Sequence, residues 1–344
     1  MTNPQVLIQF ADDTTHRIEV APDQTVLQAA LDAGLQLFHQ CKTGSCGSCV
    51  GTVEDGVVRM RSDTSIALLP REIEQRKVLT CLAQPENNAR IRMDYGFNEL
   101  HRYRPQRFRA WVEDIHRLND SVVELTLEVD EAERDAQFLP GMYYLLRVPN
   151  TDIWRPYSMC SIVEQLPSMR FLIRLLDDGA MSTYLKNECS IDAELEIDGP
   201  HGAFKLQQPP QGPVVLIAGG TGLAPVLSIL DTLAEMRWRA HPIHLNFGVN
   251  RLAELFYLDE LAARLEWLPN LNLRVTLVEP HSDWQGALGY ATDGVPDEAL
   301  GPNTEAFLCG PPPMVDAAVT SLEARGIPPA QIHFESFLPA QEIK

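Results

Sequence analysis

Cys41, Cys46 and Cys49 lie in one nine-residue run, Cys41-Lys42-Thr43-Gly44-Ser45-Cys46-Gly47-Ser48-Cys49, spaced C-x4-C-x2-C. A further cysteine follows in Val78-Leu79-Thr80-Cys81-Leu82. Four thiolates shared between two irons hold a [2Fe–2S] cluster, and this spacing lets one loop supply three of them. Such a loop bends too sharply for a Cβ at every position. Gly44 and Gly47 are therefore expected at positive φ or close against the sulfides. Thr43, Ser45 and Ser48 can donate hydrogen bonds to sulfur and so help set the potential. A zinc site more often shows paired C-x2-C knuckles, and only one is present. The seven cysteines cannot all pair, and nothing marks a secreted chain, which argues against disulfides.

A second group of polar residues lies in Trp154-Arg155-Pro156-Tyr157-Ser158. On a strand, Arg155 offers a guanidinium for a pyrophosphate, Tyr157 a ring to lie beside a planar cofactor, and Ser158 a hydroxyl toward its edge. The strand Phe171-Leu172-Ile173-Arg174 follows, then Gly179-Ala180-Met181-Ser182, which opens a helix. Free N–H groups and the dipole at a helix start attract phosphate, and Ser182 adds a hydroxyl there. R-x-Y-S resembles the signature of the flavin-binding barrel of the ferredoxin–NADP reductase superfamily. Gly199-Pro200-His201-Gly202-Ala203-Phe204 resembles the stretch that closes that barrel. The resemblance implies bound FAD, with Arg155, Tyr157, Ser158, Ile173, Arg174, Gly179, Met181 and Ser182 around it.

Further on, the continuous apolar run Val214–Ala218 suits a buried parallel strand. It ends in Gly219-Gly220-Thr221-Gly222-Leu223-Ala224-Pro225. A glycine-rich turn between strand and helix cradles a dinucleotide pyrophosphate, and this form is similar to that of the same superfamily. Cys309-Gly310-Pro311-Pro312-Pro313-Met314 sits at another strand's C-terminal end and resembles the superfamily's C-G-P-x-x-M beneath the nicotinamide. An acid near the adenosine ribose favours its hydroxyls, whereas an arginine can take a 2′-phosphate. Glu254 therefore points to NADH and Arg251 to the alternative; the resemblance implies NADH. In the tail, Phe337 is similar in position to the aromatic that the superfamily sets against the flavin, so the resemblance implies a stacked ring there, with Glu335 two residues earlier. Ser158, Cys309, Glu335 and Phe337 are the expected catalytic set.

The elements that must carry these residues can be read from periodicity. Val6, Ile8 and Phe10 alternate, Asp12-Asp13 turns, and His16, Ile18 and Val20 alternate again, giving a hairpin. Thr25-Val26-Leu27-Gln28 is a capping box opening a helix that runs to Gly34. Hairpin, helix and cysteine loop resemble the β-grasp ferredoxin fold. Glu99–Gln106 lacks an apolar period, contains Pro105 and suits a linker. Strands are expected at Phe108–Ile115, Val122–Val129 and Tyr143–Val148. Alternating strands and helices from Val214 imply a doubly wound α/β layer. The expected division is a [2Fe–2S] ferredoxin domain at 1–98, a linker at 99–106, an antiparallel FAD barrel at 107–208 and an NAD domain at 209–344.

At 344 residues the chain suits two or three domains. Its net charge of −19 argues against nucleic acid. Residues 1–100 carry −4 of it and the remainder −15, the excess of a solvated acidic surface. There is no apolar run of the roughly 20 residues a membrane helix needs, and the N-terminus lacks a leader pattern. A cytoplasmic protein is expected.

Together the three parts resemble the NADH-dependent reductase component of aromatic-ring-hydroxylating dioxygenases, of the benzoate, toluate and anthranilate type. That resemblance implies hydride delivery from NADH to FAD, then single electrons through the cluster to a Rieske-type terminal oxygenase. A reductase of a soluble di-iron monooxygenase has the same three modules. A redox sensor reading NADH through its cluster is the alternative from another class.

Overall fold

The computed structural model describes residues 3–39, 42–44, 47–61, 67–130 and 138–337. Two compact units divide the chain at Gln106/Arg107, with Pro200–Ala203 grouped in the first.

In the first unit, β1 (Gln5–Gln9) pairs antiparallel with β2 (Thr15–Glu19), burying Val6, Ile8 and Ile18. Asp13 turns the hairpin at φ 61°, and the Asp12 carboxylate accepts the Thr14 amide at 3.2 Å. Helix α1 (Val26–Asp32) starts at Thr25, whose hydroxyl accepts the Gln28 amide at 3.2 Å. The expected reciprocal half of that capping box is not formed; the Gln28 side chain turns along the helix instead, its Nε2 donating to Asp32 Oδ1 at 2.8 Å. Gly34 at φ 79° ends the helix, with the Leu35 amide returning to Ala30 O at 2.8 Å.

Next come β3 (Val50–Asp55), β4 (Val58–Met60), α2 (Pro70–Glu74), β5 (Lys77–Leu79), β6 (Ala83–Pro85) and β7 (Ala89–Arg92). The sheet order is β2-β1-β7-β3-β5, and β4 pairs with β6. A short helix α3 (Glu99–Arg102) occupies part of the stretch expected to be a polar linker, and Leu100 is buried in this unit's core. One apolar residue is too little to register as a period in the sequence.

Strand β8 (Gln106–Arg117) crosses the boundary between the units by one residue, and the second unit goes on with β9 (Val122–Val129), β10 (Tyr143–Arg147), β11 (Trp154–Ser158) and β12 (Ser168–Arg174). Helix α4 (Ala180–Asn187) and β13 (Glu194–His201) complete a sheet ordered β11-β10-β13-β8-β9-β12. Its two edges meet. Met159 pairs with Phe171, and the Cys160 amide donates to Arg170 O at 2.9 Å. That contact closes the sheet into a barrel and removes its free edges.

A parallel sheet follows, ordered β17-β16-β15-β14-β18-β19. Its strands are β14 (Val214–Gly219), β15 (Ile243–Val249), β16 (Leu271–Leu277), β17 (Ala287–Leu288), β18 (Glu305–Gly310) and β19 (Ile332–Ser336). Helices α5 (Leu223–Glu235), α6 (Leu258–Trp267) and α7 (Pro312–Ala324) cover it. Val122, Cys160, Leu172, Phe204 and Leu206 of the barrel region share one apolar core with β14, β15 and α5. Barrel and parallel sheet are further tied by the buried Ser228 hydroxyl of α5, which donates to Ser161 O at 2.8 Å. Asp231 of α5 and Arg264 of α6 form a buried two-contact ion pair at 2.7 and 2.6 Å. Among the described residues no helix is long and apolar enough to cross a membrane.

Candidate functional site

Cys49 ends the cysteine loop immediately before β3, and Cys81 lies just beyond β5. Because Val50 is in register with Leu79, the β3–β5 ladder brings the two cysteines to the same end of the sheet. Thr80 reinforces this: its amide and hydroxyl both donate to Cys49 O, at 2.9 and 3.1 Å. Both cysteines are buried. Gly44 and Gly47 adopt the expected positive φ, 85° and 70°. A Cβ on Gly44 would lie 2.5 Å from Leu82 Cδ1, so a side chain there would have to displace the Leu82 tip as well as hold a left-handed backbone. Cys41, Cys46 and Ser45 lie outside the described residues. One buried thiol at the end of a loop of left-handed glycines, with a second brought beside it from the end of β5, fits a cluster.

On β11, Arg155 and Tyr157 are partly buried and Ser158 is buried. Burial pushes the Tyr157 phenol well above its ordinary value. Ile173 is buried near the end of β12, while the adjacent Arg174 is exposed, leaving a cation at the barrel rim. Gly179 precedes α4 as its N-cap. Met181 and Ser182 are buried, and Ser182 Oγ accepts the Leu176 amide at 2.8 Å. Its hydroxyl therefore shapes the turn before the helix, with one proton left to donate.

The glycine turn follows β14, and Cys309-Gly310-Pro311 ends the neighbouring β18. The chain proceeds from β14 to β15 and β16 on one side, and places β18 and β19 on the other. The carboxyl ends of β14 and β18 thus flank the switch point where α/β sheets bind ligands. The two loops interlock. A Cβ on Gly222 would lie 2.2 Å from Cys309 O, and one on Gly219 would lie 2.7 Å from Met314 Sδ. Gly220, at φ 55°, has no neighbour within 4 Å of such a Cβ, so its backbone lies on open space beside Thr221. This fits a pyrophosphate approaching bare backbone.

The expected catalytic residues converge. Cys309 is fully buried and in register with Glu335 on β19. Ser158 Oγ donates from the barrel to Glu335 Oε2 at 3.1 Å. Burial raises the Glu335 carboxyl to about 7, opposed by the Ser158 hydrogen bond. Burial, with the Glu335 charge adding, holds the Cys309 thiol well above its ordinary value. The Phe337 amide donates to Gly310 O at 3.0 Å, setting this exposed ring beside the Cys309-Gly310-Pro311 loop.

At the end of β15, Glu254 forms an ion pair with Arg251 at 2.8 Å. Glu279 was not anticipated from the sequence. Its amide donates to Asn250 O at 2.8 Å, a contact visible only once β15 and β16 are paired.

Three family models match in succession: the 2Fe-2S iron-sulfur cluster binding domain at 9–86, the oxidoreductase FAD-binding domain at 109–206 and the oxidoreductase NAD-binding domain at 216–320. Fold and site define an oxidoreductase of ferredoxin–NADP reductase type that carries its own [2Fe–2S] domain and binds FAD and NAD.

The chain is 32% identical to the anthranilate 1,2-dioxygenase electron transfer component of Acinetobacter baylyi, covering 99% of each. It is 33% identical to the toluate 1,2-dioxygenase electron transfer component of Pseudomonas putida, covering 97% of this chain and 98% of that one. The propane 2-monooxygenase reductase component of Mycolicibacterium smegmatis is 32% identical, with 95% of each covered. Among solved structures, a cytochrome P450 reductase from Amycolatopsis superposes with a TM-score of 0.72 at 28% identity, covering 98% of this chain and 100% of that one. The chain belongs to the family of dioxygenase electron transfer components.

Proposed function

We propose that this chain passes electrons from NADH, through FAD and a [2Fe–2S] cluster, to the Rieske-type terminal oxygenase of an aromatic-ring-hydroxylating dioxygenase. The cluster module is assigned to 1–98, the flavin module to 107–208 and the nucleotide module to 209–344, joined through 99–106. The observation that carries the reading is the Ser158–Glu335 contact at 3.1 Å, which joins the flavin strand to the C-terminal strand of the nucleotide sheet. Similarity to two aromatic dioxygenase components over nearly their whole length supports the partner class.

Cys41, Cys46, Cys49 and Cys81 are assigned to the irons. Arg155 and Arg174 supply positive charge for the flavin pyrophosphate, with Gly179, Met181 and Ser182 at the start of α4. Tyr157 and Ile173 flank the ring. Gly219–Gly222 and Cys309–Pro311 form the nicotinamide dinucleotide cradle. Flavin, when bound, accepts a hydride and releases its electrons singly, which a one-electron cluster requires. Buried Cys309 keeps water from the floor of the site. Ser158 and Glu335 hold a proton between them, and Phe337 covers the reacting face until the nicotinamide arrives. The cysteines Cys160, Cys189 and Cys309 are free thiols, which supports a reducing, cytoplasmic compartment.

The test is reconstitution with purified oxygenases. NADH oxidation should couple to cis-dihydroxylation of an aromatic acid by a Rieske oxygenase. Coupling to a di-iron monooxygenase instead would overturn the partner assignment. Slow reduction of cytochrome c by NADH, with neither oxygenase served, would favour the sensor.

A further inference from the structure

The Arg251–Glu254 pair has a geometry that a ribose-binding acid would not need. Beyond β15 the ladder with β16 continues, the Val278 amide donating to Val249 O at 3.1 Å and the Glu279 amide to Asn250 O at 2.8 Å. A single 3-10 turn, Leu252–Glu254, then folds the Glu254 carboxylate back over the chain. Its Oε2 accepts the Asn250 and Arg251 amides at 3.1 and 3.4 Å. Its Oε1 accepts Arg251 Nε at 3.1 Å and Nη2 at 2.8 Å. Four donors meet a carboxylate that has about four lone-pair sites, leaving it little capacity for a sugar hydroxyl. Partial burial alone would raise Glu254, but the Arg251 and backbone hydrogen bonds reverse this and hold it below its ordinary value.

Arg251 itself is 65% exposed at its side chain. Glu254 acts on it most strongly, through the hydrogen bond and its charge, and Glu279 adds a second negative field. Next to the strand bearing the glycine turn, this strand end is where a dinucleotide fold tells a 2′-hydroxyl from a 2′-phosphate. An arginine so placed would welcome a phosphate bidentately. Here one carboxylate occupies two of its N–H groups, and two carboxylates outweigh its charge.

We propose that Glu254 sets the preference for NADH as the counter-ion that withholds Arg251 from the 2′-phosphate of NADPH, rather than as a ligand of the ribose. Arg251 is then a phosphate-binding residue held out of use. The proposal rests on reading β14–β19 as the nucleotide module.

The experiment measures binding of adenosine 2′,5′-bisphosphate and of 5′-AMP to the flavin-loaded protein by calorimetry, with kcat/KM for NADPH and NADH alongside. Glu254→Gln keeps an acceptor for the backbone amides but releases Arg251. The ratio of bisphosphate to 5′-AMP affinity should rise about tenfold or more, the scale of one charge-assisted hydrogen bond. Glu254→Gln combined with Arg251→Ala should return the ratio to the wild-type value. A shift that survives removal of Arg251 would mean that Glu254 repels phosphate directly, and would overturn the proposal. So would a ratio that does not move in Glu254→Gln. If the wild type binds both nucleotides yet reduces no flavin, the functional reading fails while this comparison still stands.

Discussion

Ser158 Oγ and Glu335 Oε2 stand 3.1 Å apart, one on the last residue of a barrel strand and the other on the final strand of the parallel sheet. They are 177 residues apart in sequence. The shared apolar core and the Ser228–Ser161 hydrogen bond hold the layers that carry them. A carboxyl desolvated to about 7 titrates in the physiological range. Above that pH its charge would favour the positive charge that develops on a nicotinamide giving up hydride. The rate of flavin reduction by NADH is expected to rise through about pH 7. Glu335→Gln should flatten the profile and lower the plateau about a hundredfold, the low end of what one such group contributes. A stopped-flow pH series on both proteins checks this. An unchanged profile in the mutant assigns the titration elsewhere.

The same group affects stability with a definite sign. Its folded pKa, about 7, is raised above the ordinary 4.5. The folded state therefore binds the proton more tightly, and the group's contribution is fully present below pH 4.5. That contribution is lost as pH rises through about 7. Wild type minus Glu335→Gln, measured as the difference in denaturant midpoint, should fall between pH 5 and pH 8. A rising difference would contradict the burial.

Replacing each cysteine by serine should separate the ligands from the remainder. Cys41, Cys46, Cys49 and Cys81 should each be needed for iron and sulfide. Cys160 is pushed up to about 12 by burial, and burial also raises Cys189. Both remain thiols, behave as small apolar groups and should be dispensable for the cluster. Full iron in Cys81→Ser would remove it from the ligand set.

Asp231 and Arg264, each side chain only 9% exposed, hold α6 on α5. Deleting one partner strands a buried charge, so Arg264→Met should cost about 3 kcal/mol or more in unfolding free energy. Asp231→Leu with Arg264→Met should recover much of that loss. A single variant as stable as wild type would show that water reaches the pair.

What could be read in the sequence follows the range of the interactions involved. Cysteine spacing and the left-handed Gly44 and Gly47 are local, and so is the strand found at Val122–Val129 as expected. Helix α6 begins at Leu258, behind a Tyr257 whose left-handed φ of 61° no side-chain pattern announces. Helix α7 begins at Pro312, inside the proline run itself, since proline fits a first turn that needs no donor. The Gln28 side chain had two partners within reach, and the sequence does not say which it takes. Barrel closure through Met159 and Phe171, the burial of Leu100 and the folding back of Glu254 onto Arg251 all depend on tertiary placement.

The tail gives the last prediction. Phe337 extends the β18–β19 ladder by one bond, its amide donating to Gly310 O at 3.0 Å. A terminal aromatic that merely seals the end of a strand would be covered, yet Phe337 is 37% exposed, whereas nearby Ile332 is buried. An exposed ring on a tethered backbone is suited to lie over a planar cofactor and yield to another ring. Stacking is worth about 0.5–1.5 kcal/mol beyond area burial, small enough for an incoming nicotinamide to displace it. Phe337→Ala should therefore keep FAD and cluster at wild-type content, with thermal stability little changed. Nicotinamide affinity and the rate of hydride transfer should both change, by roughly three- to tenfold on that energy scale. Stopped-flow flavin reduction over a range of NADH concentrations separates the two. Wild-type reduction kinetics combined with a lower melting temperature would make Phe337 a packing residue and remove it from the site.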